Sequence, residues 1–95
     1  MRVVNYVNLK KLEKPCLLQV LHILTKRPGI IYTELKNAVE GADQTTKKAV
    51  DYLIEIGLLR EEREEEFPRR RRLYPTEKGK RIGELLEKID EILGE

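Results

Sequence analysis

The chain has 95 residues, enough for one small domain or a domain with an arm. Nineteen Lys and Arg against 17 Asp and Glu leave a net charge of +2 with His22 neutral, too small an excess to announce a nucleic-acid partner by itself. No stretch approaches the roughly 20 apolar residues of a membrane-spanning helix, and the first residues lack the apolar core of a signal peptide. The single Cys16 rules out an internal disulfide and fits a reducing cytoplasm. A hydrophobic content of 40% excludes wholesale disorder. Charged residues at 38%, with two Gln and three Asn, give a thermophile-like composition. The charge is unevenly spread: residues 1–48 hold 9 basic and 4 acidic side chains, residues 49–95 hold 10 and 13.

Residues 1–14 form an arm whose structure the pattern leaves open. Val4, Val7 and Lys11 have helical spacing, whereas Val3, Asn5 and Val7 alternate as in a strand. Pro15 suits the first position of a helix, and residues 16–27 continue it. Leu17, Leu21 and Leu24 make one face, widened by Leu18 and Val20, so this helix is expected at the centre of the core. Pro28-Gly29 stops it. Ile30-Ile31 can form a very short strand. A second helix is expected over about 33–40, with Leu35, Ala38 and Val39 on one face and Gly41 as its C-terminal cap. Asp43 then reads as the N-cap of a third helix over about 44–56, which leaves a turn of three or four residues between the two helices.

In the third helix Thr46, Val50, Leu53 and Ile54 share the inner face, and Gln44, Thr45, Lys47, Lys48, Asp51 and Glu55 point away from it. Gly57 ends it. Leu58 to Glu66 and Arg69 to Tyr74 read as two strands joined at Phe67-Pro68. If those two residues form the turn, Glu66 faces Arg69, Glu65 faces Arg70, Glu64 faces Arg71 and Arg63 faces Arg72. The arginines are then either a phosphate clamp or a salt ladder within the hairpin. Thr76 is the expected N-cap of the last helix. There Ile82, Leu86, Ile89 and Leu93 are spaced as a heptad seam, in a helix about 28 Å long, flanked by Leu85 and Ile92.

Helix, helix, turn, helix, hairpin, helix is the order of a winged helix-turn-helix. The fold class is therefore mainly α with a small β-hairpin wing (about 59–74), divided as an arm (1–14), a winged helix-turn-helix (15–75) and a C-terminal dimerisation helix (76–95). The stretch Thr45-Thr46-Lys47-Lys48-Ala49-Val50-Asp51-Tyr52-Leu53-Ile54-Glu55-Ile56-Gly57-Leu58-Leu59-Arg60 resembles the recognition helix and following strand of MarR-, PadR- and ArsR-like transcription regulators. Tyr74-Pro75-Thr76-Glu77-Lys78-Gly79-Lys80 resembles the Tyr-x-Leu-Thr-x-x-Gly start of their post-wing helix, with Pro75 departing from the pattern. The resemblance covers about residues 15–94 and implies a transcription regulator that binds double-stranded DNA. It implies that the third helix enters the major groove through Gln44, Thr45, Lys47 and Lys48. It further implies a wing contact through Arg69 and Arg70, with Arg71 beside them. Lys26, Arg27 and Lys36 are further candidates for phosphate contact.

Ile82, Leu85, Leu86, Ile89, Ile92 and Leu93 are more apolar surface than one small domain covers, so they are assigned to a homodimer interface. His22 and Cys16 lie about 240° apart around their helix and make no metal site. Cys16 is expected to be a buried, inert thiol. No nucleophile–base pair or phosphate-binding glycine loop is present, so neither an enzyme nor a cofactor is expected. Two alternatives remain open: a nonspecific architectural DNA-binding protein, and a winged-helix protein-interaction module.

Overall fold

A computed structural model of the chain describes residues 7–95. The strand-or-helix ambiguity at Val3, Val4 and Asn5 lies outside them. A 3-10 turn (Leu9–Leu12) precedes α1 (Leu17–Lys26), β1 (Ile30–Ile31), α2 (Tyr32–Ala38), α3 (Asp43–Glu55), β2 (Leu59–Arg63), β3 (Arg71–Pro75) and α4 (Glu77–Leu93). The sheet is antiparallel in the order β1-β3-β2. The expected order of elements is present, with the short strand β1 added as a third member of the wing sheet.

Burial explains why the first helix is central. Leu17, Val20, Leu21 and Leu24 of α1 are fully buried against Leu35, Val50, Leu53 and Leu73 of α2, α3 and β3. Each such side chain removed from water contributes about 2 kcal/mol. Leu18, expected to widen this face, is exposed, as is Ala38 on α2. Both lie past the edge of the stripe that the neighbouring elements cover. Val39 is buried although it lies just beyond α2 in extended backbone, where it caps the helix.

The ends of the elements depart from expectation in three places, and the burial of Cys16 in a fourth. Pro15 does not open α1: Cys16 takes a left-handed φ of 65° and leads into the helix from a turn closed by the Leu17 amide on Lys14. Cys16 is half-buried, not buried. Gly41 does not cap α2, which ends three residues earlier. Ala42, not Asp43, holds the N-cap position of α3, and Asp43 lies in the first turn.

Gly57 ends α3 as expected. At φ +80° its amide bonds to the Ile54 carbonyl and the Leu58 amide to that of Leu53, the paired closure that glycine favours at this position. Thr76 caps α4 by accepting from the Gly79 amide at 3.1 Å, and its hydroxyl donates to the Gly57 carbonyl at 2.7 Å. These bonds join the end of α3 to the start of α4. A Cβ at Gly79 would run into the backbone carbonyl of Leu58, and one at Gly83 into the Thr25 side chain. The two glycines therefore let α4 press against the body of the domain.

Helix propensity alone favours Gly79→Ala by up to about 1 kcal/mol. The clash with immovable backbone predicts the opposite sign, a loss of about 1–3 kcal/mol in urea denaturation. A neutral or stabilised variant would contradict this packing.

Candidate nucleic-acid interface

The outward face of α3 carries Gln44, Lys47, Lys48 and Asp51 in the open, while Thr45 is half-buried. The inner face buries Thr46, Ala49, Val50 and Leu53. Among the described residues neither Lys47 nor Lys48 has an ion-pair partner. On one flank, the Lys14 ammonium stands 4.7 Å above the ring of Tyr52, and Lys14, Pro15, Thr45, Lys48 and Tyr52 line one shallow depression. Sequence reasoning missed Lys14, because only tertiary packing brings the segment before α1 against α3.

On the other flank α3 meets the wing. The strands pair Leu59 with Pro75, Arg60 with Tyr74, Glu61 with Leu73, Glu62 with Arg72, and Arg63 with Arg71. This register is one residue from the expected one, so Arg71 faces Arg63 and not Glu64, and Arg72 faces Glu62 and not Arg63. The cause is the loop. The Glu64 amide bonds to the Arg70 carbonyl and the Arg69 amide to that of Glu66, with Arg69 left-handed at φ 53°. Five residues, 65–69, lie inside that closure instead of two, and the odd count moves every partner by one.

The pairing changes but the charge compensation remains. Arg71 grips the Glu61 carboxylate across the diagonal, with Nε donating to Oε1 at 3.0 Å and Nη2 to Oε2 at 2.9 Å. Its Nη2 also lies 3.7 Å from Asp51 of α3, and its guanidinium 5.3 Å from the Tyr32 ring centroid. The Tyr32 hydroxyl donates to Asp43 Oδ1 at 3.0 Å. The half-buried Arg71 thus ties the wing to α2 and α3. Arg72 donates to the Gly29 carbonyl at 3.0 Å and lies 3.5 Å from Glu64. Arg70 lies 3.8 Å from Glu64, Arg63 3.7 Å from Glu61 and Arg60 2.6 Å from Glu62. Arg69, at the wing tip beside the exposed Phe67, is the one wing arginine without a carboxylate partner among the described residues.

The hydrogen bonds from Arg71 hold the Glu61 carboxyl below its usual range, and the bond to Glu61 raises Arg71 in turn. Burial, then the bond to Asp43, raises Tyr32. The phosphate candidates Lys26 and Arg27 are paired, Lys26 with Glu87 at 2.8 Å and Arg27 with Glu34 at 3.2 Å. His22 Nε2 lies 2.6 Å from the other oxygen of the Glu87 carboxyl, which joins α4 to α1. Lys26 first and His22 second hold the Glu87 carboxyl low. Among the described residues no group of three His, Cys, Asp or Glu could hold a metal ion.

The seam of α4 divides. Ile82 and Leu86 are half-buried on the domain's own core, whereas Leu85 (59% exposed), Ile89 (51%), Ile92 and Leu93 face outward. Leu9 is exposed as well, and it lines a groove of about 510 Å³ together with Leu12, Ile82, Leu85 and Ile89. No helix is long and apolar enough to cross a membrane among the described residues.

No protein-family model and no curated protein matches the sequence. Solved structures do match. A protein described as a MarR-family transcriptional regulator from Porphyromonas gingivalis W83 superposes with a TM-score of 0.84 at 19% identity, over 100% of this chain and 98% of its own. The fold is the MarR-type winged helix. A MarR protein from Peptoclostridium difficile matches at 0.76 and 27% identity, over 90% of this chain and 56% of its own. Streptococcus pneumoniae FabT, solved in complex with DNA, matches at 0.74 and 19% identity, over 92% and 64%. This MarR-type chain thus spans under two thirds of the length of the latter two. In that fold residues 59–75 are the wing hairpin and α3 is the helix before it.

Because Glu61 titrates low only when folded, its bridge to Arg71 stabilises the domain above the usual glutamate pKa near 4.5 and is lost as pH falls through the lower folded value. Glu61→Gln is expected to lower the melting temperature at about pH 7, with the gap to wild type narrowing as pH falls below the usual glutamate pKa near 4.5. A gap that does not change with pH would show that the bridge carries none of it.

Proposed function

We propose that the chain is a homodimeric transcription regulator that binds double-stranded DNA. In this reading α3 enters the major groove, with Gln44, Thr45, Lys47 and Lys48 toward the bases and phosphates. The wing reaches the flanking backbone or minor groove through Arg69 and Arg70. Residues 15–75 act as the DNA-binding unit and 76–95 as the dimerisation helix. The observation that carries the reading is the solvent face of α3, where Lys47 and Lys48 stand without an ion-pair partner among the described residues beside Gln44, while five of the six wing arginines are compensated. The MarR-type fold adds support, since a neighbour of that fold is solved on DNA.

Two groups of candidate residues take different parts in this reading. Arg71 is held by Glu61 and Asp51, which suits a positioning role better than phosphate contact. Ile82 and Leu86 already serve the domain's own core, so the exposed Leu85, Ile89 and Leu93 are the residues proposed to meet a second copy. A two-fold dimer would present two copies of α3 to half-sites about one helical turn apart.

Lys48→Ala is expected to weaken duplex binding by roughly 5- to 100-fold in fluorescence anisotropy, the range for removing one base or phosphate interaction. An unchanged isotherm would remove Lys48 from the interface. Leu85→Asp, at an exposed position, is expected to shift the protein from dimer to monomer in sedimentation equilibrium while leaving its melting temperature within a few degrees. A wild-type protein that sediments as a monomer would remove the dimer.

A further inference from the structure

The wing holds six arginines in residues 59–75, and five of them, Arg60, Arg63, Arg70, Arg71 and Arg72, are ion-paired within the domain. Lys10, Lys11 and Lys14 show the opposite. All three are exposed, and none has an ion-pair partner among the described residues. With Glu13 as the one acid in residues 10–14, the segment keeps a net charge of +2. Its place is fixed against α3 by the Lys14 ammonium on the Tyr52 ring at 4.7 Å. Lys10, Lys11, Glu13, Lys14 and Tyr52 line a second depression, in which three lysines outnumber the one acid, and it meets, at Lys14 and Tyr52, the one containing Lys48. The unpaired lysines of α3 thus have neighbours of the same sign in the segment before α1, with Lys14 and Tyr52 shared by the two depressions.

We infer that Lys10, Lys11 and Lys14 form a phosphate-backbone site beside α3, and that this segment, more than the wing, supplies the electrostatic part of DNA binding. The inference rests on the proposed function. A free ammonium at the surface releases the counterions that a phosphate holds when the two meet, whereas a guanidinium already facing a carboxylate releases little. Lysine suits this task, being a strongly hydrated point charge on a flexible stem that follows a backbone without demanding a fixed geometry. Tyr52 holds the root of the segment in place through Lys14.

The test is the salt dependence of binding to a fluorescein-labelled duplex of random sequence, for four proteins in parallel. They are wild type, Arg70→Ala, the triple variant Lys10→Ala/Lys11→Ala/Lys14→Ala, and the triple variant with arginine at the same positions. Each phosphate that a variant no longer neutralises makes the slope of log affinity against log salt shallower by about 0.9. With all three lysines replaced by alanine, the variant is expected to lose roughly 40-fold less affinity than wild type between about 50 and 200 mM salt. The arginine variant is expected to keep the wild-type slope, and Arg70→Ala, which removes one proposed wing contact, to make it shallower by at most the value for one phosphate, a third of the effect of the lysine-to-alanine triple variant. Far-UV circular dichroism and melting establish that each variant is folded. A folded alanine variant with the wild-type slope overturns the inference and leaves the function standing. A wild-type protein that binds no duplex at low salt overturns both.

Discussion

The guanidinium of Arg71 decides how the wing and α3 stand to one another. It sits half-buried where β3 passes α2 and α3, meets Glu61 through two hydrogen bonds, faces Asp51 of α3 and lies over Tyr32. A charge placed there must be compensated, because removing one partner would leave the other desolvated. The wing is consequently built around carboxylates: Glu61, Glu62 and Glu64 answer five of its six arginines. A run of four arginines that looks like a cationic clamp in one dimension is, in three dimensions, largely the internal bracing of a hairpin. Around α3 that leaves Arg69 at the wing tip, Lys47 and Lys48 and the lysines before α1 as positive charge open to a partner among the described residues.

Most of the fold was legible because its punctuation is local. Gly57 needs a left-handed φ to close α3, Thr76 caps α4, and Pro28-Gly29 ends α1, each by a mechanism confined to a few residues. The heptad spacing of α4 and the buried stripe of α1 follow from periodicity. The strand register was not legible. It depends on whether two or five residues close the hairpin, and no residue between Glu64 and Arg70 announces that Arg69 will turn left-handed. Cys16 at the start of α1 is the same kind of surprise: a left-handed residue that is neither Gly nor Asn.

The candidate interface divides along the same line. Gln44, Lys47 and Lys48 could be read from the helical period, since facing away from Val50 and Leu53 is a local property. Lys14 could not, because its relation to α3 passes through Tyr52, 38 residues away in sequence. The apolar face of α4 reads as one seam in the sequence, but the domain's core takes Ile82 and Leu86 and leaves Leu85, Ile89, Ile92 and Leu93 outside. The spacing of a stripe gives its existence; which part of it neighbours cover depends on where α4 crosses α1, and Gly83 permits that crossing by leaving room for Thr25, while Gly79 seats the start of α4 on the Leu58 backbone.

Whether this MarR-type domain reads duplex DNA as a two-fold dimer can be decided by selecting bound duplexes from a random-sequence pool at low salt. Enrichment of an inverted repeat whose half-site centres lie about 10 base pairs apart is expected. A pool that passes through without enrichment, or the recovery of a single unrepeated site bound by one copy of the chain, would contradict it.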